Sequence, residues 1–189
     1  MKAEVELHGG TFIMDDDTRA HILDAARWLT RSDTAPGLLL CGLCGNGKTT
    51  LARAVAWLIE HVTVHECGYS HREVMRVLTA KEICRMCAAG EKFKEQYDEY
   101  ARLFLEPMMV IDDLGEEPVE VMVYGMPHTP LTDIISKRYD ARLMTIVTTN
   151  LETDAITKKY GERIGDRLRE MMAPIVFEND SFRTNRNLQ

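Results

Sequence analysis

One stretch constrains this chain more than any other. Gly42-Leu43-Cys44-Gly45-Asn46-Gly47-Lys48-Thr49 fits the pattern G-x-x-x-x-G-K-[ST] at every fixed position. Ahead of it, Gly37 to Cys41 is a short apolar run that reads as a buried strand. Behind it, Thr50 to Ile59 is rich in helix formers and free of Gly and Pro. A strand–loop–helix of this kind cradles phosphate. Gly42, Gly45 and Gly47 let the backbone curl with N–H groups inward, where a Cβ would collide with the ligand. The helix that starts near Lys48 turns the positive end of its dipole, and Thr50 with it, toward the same anion. With Asn46, these residues form the candidate nucleotide-binding set. Lys48 is the residue to reach the β- and γ-phosphates, and the Thr49 hydroxyl the one to sit on Mg²⁺.

A chain of 189 residues has the size of one domain with a substantial core. No apolar run approaches the roughly twenty residues of a membrane span. Acidic residues at Glu4 and Glu6 occupy the place of a signal peptide's apolar core. The five cysteines, an odd number, read as reduced thiols of a cytoplasmic protein. The net charge of −7 argues against coating duplex DNA electrostatically, although a local basic site at Arg163, Arg167, Arg169, Arg183 and Arg186 is compatible with it. A solvated helix face balanced by Glu162, Asp166 and Glu170 is the other reading of those arginines.

Taken in order, Val5 to Met14 reads as an extended opening. Asp15-Asp16-Asp17-Thr18 caps a helix whose apolar stripe is Ile22, Ala25, Ala26 and Leu29. The stretch His61 to His71 (His61, His65, Cys67, His71) and the pair Cys84 and Cys87 invite a zinc reading. Lys81 to Ala89 is helical in pattern, however, and the preceding loop is irregular, so a surface insertion is expected there. Cys41 and Cys44 flank the glycine loop as packing residues. Val74 to Thr79 reads as the second strand, with Thr79 capping the next helix. A further helix over Glu91 to Leu105 carries Phe93, Tyr97, Tyr100, Leu103 and Phe104 on one face and ends before Pro107.

Met108-Met109-Val110-Ile111 is a continuous apolar run, hence a strand buried on both faces, and it ends in Asp112-Asp113-Leu114-Gly115. Downstream of a phosphate loop this is the expected Walker B element. Asp112 is the candidate for the Mg²⁺ shell, and Asp113 for the acid that polarises the attacking water. Asp is one methylene shorter than the more familiar Glu. Glu116 to Thr129, broken by Pro118, Gly125 and Pro127, reads as a mobile loop. Leu131 to Arg142 reads as a helix with Ile134, Ile135 and Tyr139 inward. Leu143 to Val147 is the next strand and runs into Thr148-Thr149-Asn150. Asn150 is either a sensor of attacking water and γ-phosphate or a cap for the helix from Glu152. Strand–helix alternation predicts a parallel, doubly wound α/β sheet with nucleotide at the carboxyl ends of its strands.

These motifs, together with Tyr160-Gly161-Glu162-Arg163-Ile164-Gly165-Asp166-Arg167-Leu168 and the terminal Ser181-Phe182-Arg183, follow one another in a telling order. In that order they resemble the AAA+ ATPase domain of the DnaC-type bacterial helicase loaders and of the related IstB-type transposition ATPases. The resemblance implies an AAA+ P-loop NTPase, a three-layer sandwich around a mostly parallel sheet, that uses ATP and Mg²⁺. It implies that Arg167, with Arg163 beside it, is an arginine finger reaching a neighbouring subunit's γ-phosphate. Arg183 is implied to contact nucleotide in its own subunit. Turnover then depends on a homo-oligomer or another ATPase neighbour in trans. A replicative helicase or a transposase, and DNA itself, are the implied partners, with no membrane. Loaders of this type carry an N-terminal extension that grips the helicase. Here residues 1–17 read as a short extension and residues 18–189 as the ATPase domain, without an evident separate helicase-binding domain. A nucleotide-dependent interaction module with little hydrolysis is the alternative of a different class.

Overall fold

The computed structural model describes residues 1–67, 75–90 and 94–182. Its centre is a five-stranded parallel sheet in the order β2-β3-β6-β1-β7. The strands are β1 (Gly37–Gly42), β2 (Arg76–Thr79), β3 (Met108–Leu114), β6 (Met144–Thr149) and β7 (Met172–Phe177). Two short strands, β4 (Val121–Val123) and β5 (Met126–His128), pair separately as an antiparallel hairpin. The helices are α1 (Lys2–Leu7), α2 (Asp16–Thr30), α3 (Lys48–Cys67), α4 (Ala80–Ala89), α5 (Lys94–Leu103), α6 (Pro130–Asp140), α7 (Thr153–Tyr160) and α8 (Glu162–Met171).

The two faces of the sheet carry two cores, and strand alternation sorts the residues between them. Leu38, Leu40, Val110, Ile146, Ile175 and Phe177 pack against Ala25 and Trp28 of α2 and against Leu51, Ala52, Val55 and Ala56 of α3. Met109, Ile111, Val147 and Met172 point the other way, onto α4 to α8. The expected three-layer α/β sandwich is therefore present, and the sheet is wholly parallel. Central strands buried on both faces need continuous apolar runs, which is why Met108 to Ile111 and Leu38 to Leu40 lack the alternation of a half-exposed strand.

Several local expectations give way to tertiary effects. The opening is helical from Lys2 to Leu7. Arg53 of α3 pairs with Glu4 at 3.5 Å, and Met1 leans on the core, so a helix too short to persist alone is held by docking. Asp15 does cap α2, its carboxylate accepting from Thr18 N–H at 2.8 Å. The buried face of that helix is Thr18, His21, Ala25 and Trp28, whereas Ala26 is exposed. α3 continues through Cys67, so the segment from His61 begins as helix rather than as an irregular insertion. The side chains of His65 and Cys67, residues 68–74 with His71, and Phe93 lie outside the described residues. Glu116 to Thr129 contains the β4–β5 hairpin, turned at Tyr124 (φ 50°) and Gly125 (φ 80°). Cys84 and Cys87 are buried on α4 within the apolar core, and burial pushes the Cys84 thiol up to about 12. Among the described residues no cluster of three His, Cys, Asp or Glu side chains is disposed to hold a metal. Nor is any described helix long and apolar enough to cross a membrane.

α6 buries Ile134 and Ile135 as expected, but Tyr139 stays partly exposed and Arg138 takes the interior position, at 0% exposure. Its guanidinium donates to Thr145 Oγ1 (2.8 Å) and to the carbonyls of Met144 (2.6 Å), Glu106 (2.7 Å) and Leu103 (3.2 Å). Burial lowers its pKa to about 10. This one side chain thus ties the α5–β3 link to the start of β6, and removing it takes a charged donor from one buried and two partly buried carbonyls. Arg138→Ala should cost about 3 kcal/mol or more, because each hydrogen bond to a charged group is worth roughly 1.5–3 kcal/mol. Thermal unfolding checks this; a melting temperature within about 2 °C of wild type would contradict the assignment.

Candidate functional site

The site forms where β1, β3 and β6 end side by side. β1 runs into the glycine loop, whose Gly42, Gly45 and Gly47 adopt φ of 141°, 84° and 100°. At Gly42 the requirement is double: the conformation disfavours L side chains, and a Cβ would lie 2.3 Å from the Phe177 carbonyl oxygen. The first backbone bond of α3 is Leu51 N–H to the Gly47 carbonyl at 2.9 Å. The amides of Lys48, Thr49 and Thr50 precede it and have no acceptor within the helix. This is a group of donors at the positive end of a 20-residue helix.

Lys48 is only 4% exposed. Its ammonium donates to the carbonyls of Gly42 (2.8 Å) and Leu43 (2.6 Å) and to Asn46 Oδ1 (3.0 Å). Burial lowers its pKa below the ordinary lysine value, opposed by the charges of Asp113 and Asp112 nearby. The Thr49 hydroxyl donates to Asp112 Oδ1 at 2.9 Å, and the Thr148 hydroxyl donates to the same oxygen at 2.6 Å. The structure therefore brings the loop, Lys48, Thr49, Asp112 and Asp113 to one place. A hydroxyl and a carboxylate in direct contact beside a buried ammonium form a donor set of the oxygen type that suits Mg²⁺.

Asp113 has φ of 55°, rare for a residue with a side chain. Its amide donates to Thr148 Oγ1 at 2.9 Å, and its carbonyl accepts from Glu116 N–H at 3.2 Å. Burial and the neighbouring charges of Asp112 and Glu116 push its carboxyl above the usual aspartate range. The turn behind it is held by Glu117, a buried carboxylate that accepts from Gly115 N–H at 2.9 Å and from the Tyr160 hydroxyl. Lys159 adds a bond to the Glu117 carbonyl at 2.7 Å. Asn150 sits at the end of β6, half-buried, and the N-cap of α7 is Glu152, so Asn150 is not that cap.

The arginines lie elsewhere. Arg163 and Arg167, one turn apart on α8, line a separate cavity of about 440 Å³ with Tyr97, Phe104, His128 and Lys137, and no residue of the glycine loop borders it. Arg167 meets Asp140 at 3.3 Å and lies 5.0 Å above the Tyr139 ring. Arg183 lies outside the described residues.

Sequence reasoning passed over Thr148, Glu117 and Tyr160. Thr148 stood within the quoted Thr148-Thr149-Asn150, but only pairing of β3 with β6 shows that its hydroxyl serves Asp112. Glu117 belongs to no local motif, and Tyr160, which opens the Tyr160 to Leu168 segment, meets it only across 43 residues of sequence.

No family model matches this sequence, and no curated protein matches it. Solved structures do match in fold. The DnaC helicase loader is 21% identical with a TM-score of 0.61, over 88% of this chain and 93% of that one. DnaI is 21% identical with a TM-score of 0.62, over 88% and 87% of the two chains. A replication initiator DnaA bound to AMPPCP and single-stranded DNA is 15% identical with a TM-score of 0.58, over 89% of this chain and 49% of that one. The chain therefore has the AAA+ P-loop NTPase fold that the DnaC-type helicase loaders and DnaA also have.

Proposed function

We propose that this chain binds and hydrolyses ATP with Mg²⁺ in an assembly of AAA+ subunits, and that it uses the nucleotide to rearrange a DNA-replication complex of the helicase-loading kind. The observation that carries the reading is the buried Lys48 ammonium beside Thr49, whose hydroxyl meets Asp112 at 2.9 Å, all at the mouth of the glycine loop. Gly42, Gly45, Asn46, Gly47, Lys48, Thr49 and Thr50 hold the phosphates, and Thr49 and Asp112 hold the metal. Mg²⁺, when bound, supplies charge neutralisation on the β- and γ-phosphate oxygens. Asp113 takes the role of the acid that polarises water, at the end of the Walker B strand, and Asn150 that of a sensor beside it. Its raised pKa keeps Asp113 closer to the working pH, where a general base is most effective. Arg163 and Arg167 act on a neighbour's nucleotide, which agrees with their distance in the fold from their own glycine loop. Arg183 contacts nucleotide in cis. The replication setting rests on fold likeness to DnaC, DnaI and DnaA.

Steady-state hydrolysis across a protein concentration series tests the assembly. Turnover per subunit should climb with concentration. Lys48→Ala should lose both binding and turnover. Arg167→Ala should keep ATP affinity and lose about 10³-fold in turnover. An Arg167→Ala protein as fast as wild type at every concentration refutes the trans-acting finger. Stimulation by single-stranded DNA would favour a DNA-directed complex over a purely protein-directed one.

The pH profile tests Asp113. A base works only when deprotonated, so kcat should fall as pH drops through its raised pKa, at a higher pH than an ordinary aspartate would give. Asp113→Asn should bind ATP, turn over at least about 10²-fold slower and lose that acid limb. Retention of the limb in the variant assigns it to another group.

A further inference from the structure

Backbone amides that face an anion leave their carbonyls facing away, and in a packed interior those carbonyls need donors. In the glycine loop Lys48 meets the Gly42 and Leu43 carbonyls, whereas the donors to the Gly45 and Asn46 carbonyls come from the far end of the described chain. β7 runs on into residues 178–182, and this strap lies against the loop. Phe182 N–H donates to the Gly45 carbonyl at 3.0 Å. Asn179 Nδ2 donates to the Asn46 carbonyl at 3.3 Å and to the Asp180 carbonyl at 3.1 Å. Asn46 returns the contact, its Nδ2 donating to the Phe177 carbonyl at 3.1 Å. Gly42 backs onto Phe177 as described, and a Cβ on Gly47 would lie 3.6 Å from the Phe182 ring. Gly42, Gly45, Asn46 and Gly47 are thus each braced by residues 177–182.

Phe177 is itself anchored. The His21 ring of α2 stacks on it with centroids 3.9 Å apart, and His21 shares a 3.2 Å hydrogen bond with the Val176 carbonyl. The strap therefore has a fixed root. Asn179 Oδ1 is buried and lacks a hydrogen-bond partner, an acceptor of the kind ordinarily met by water or by a ligand's hydroxyl.

We infer that Phe177, Asn179 and Phe182 of this strap are part of the nucleotide site and that Asn179 is a positioning residue for it. Asn179 draws the Asn46 carbonyl outward, which keeps the loop amides turned toward the phosphates. The inference rests on the nucleotide reading above. Because the contact shapes the loop and does not touch the γ-phosphate, ADP and ATP binding depend on it alike.

The test is binding of a fluorescent ADP and of a non-hydrolysable ATP analogue to the full chain, with nucleotide-free melting measured alongside. Asn179→Ala should weaken both ligands by about three- to tenfold, the worth of one hydrogen bond. Asn179→Asp, nearly isosteric but without a hydrogen to give and with a charge facing the carbonyl, should weaken them further. Phe182→Pro, which removes the other donor, should act in the same direction. Glu178→Ala, at an exposed neighbour, should bind as wild type. KM for ATP should rise by the factor seen in binding, with kcat within about twofold, because the loop binds ground and transition states alike. Lower melting temperatures with unchanged affinities would make the strap a structural brace only and overturn the inference. So would an Asn179→Asp protein that binds ADP as wild type does. Wild-type protein that binds neither ligand removes the nucleotide reading itself, which is a distinguishable result.

Discussion

Asp112 is the carboxylate on which the site's geometry depends. It is 4% exposed, and an ionised carboxylate so placed is costly unless donors meet it. Two threonine hydroxyls on one oxygen provide them, Thr49 from the first turn of α3 and Thr148 from β6. Thr148 also accepts the Asp113 amide, so the same hydroxyl fixes the backbone of the next residue. Three elements remote in sequence are thereby tied at one point. The pairing of β3 with β6 is irregular between Ile111 and Leu114, where Asp113 turns to positive φ. Backbone strain of this sort persists only where neighbours over-determine it. Here Thr148 on one side and the Glu117–Tyr160–Lys159 contacts on the other do so.

The rest of the sheet supplies the rigidity this requires. Residues such as Val110 and Ile146 pack on one face and Ile111 and Val147 on the other. A one-residue slip of a strand would exchange the two faces and misplace Asp112. Arg138 fixes the opposite end of β6 through Thr145 and Met144. A strand held at both ends delivers Thr148 to a defined position.

The separation of the arginine face from the glycine loop follows from the same layering. α8 follows the short α7 after a turn at Gly161, and both belong to the layer of α4 to α6. Glu117 bonds to Tyr160 at the end of α7 and to Gly115 just beyond β3. The end of the acidic strand and the element that precedes the arginines are thus in direct contact, although the two functional groups themselves are apart.

Local chemistry alone determined much of this protein. The glycine loop, the strand before it, the helix after it and the buried strand ending in two aspartates are each legible because their constraint is local. A backbone that must curl needs glycine, and a strand covered on both faces needs an unbroken apolar run. The Asp15 and Thr79 caps were legible for the same reason, since capping acts over three residues. What only the tertiary structure decided depends on contacts across long sequence separations. The helix at Lys2–Leu7 exists by docking on α3, and Arg138 enters the core because carbonyls from two other elements meet it. Thr148 serves Asp112 because β3 and β6 are neighbours, and Asn179 reaches Asn46 because β7 lies beside β1. None of these pairings leaves a mark in a sequence window. A buried polar group's choice of partner is set by which strands become adjacent, and adjacency is a property of the whole fold.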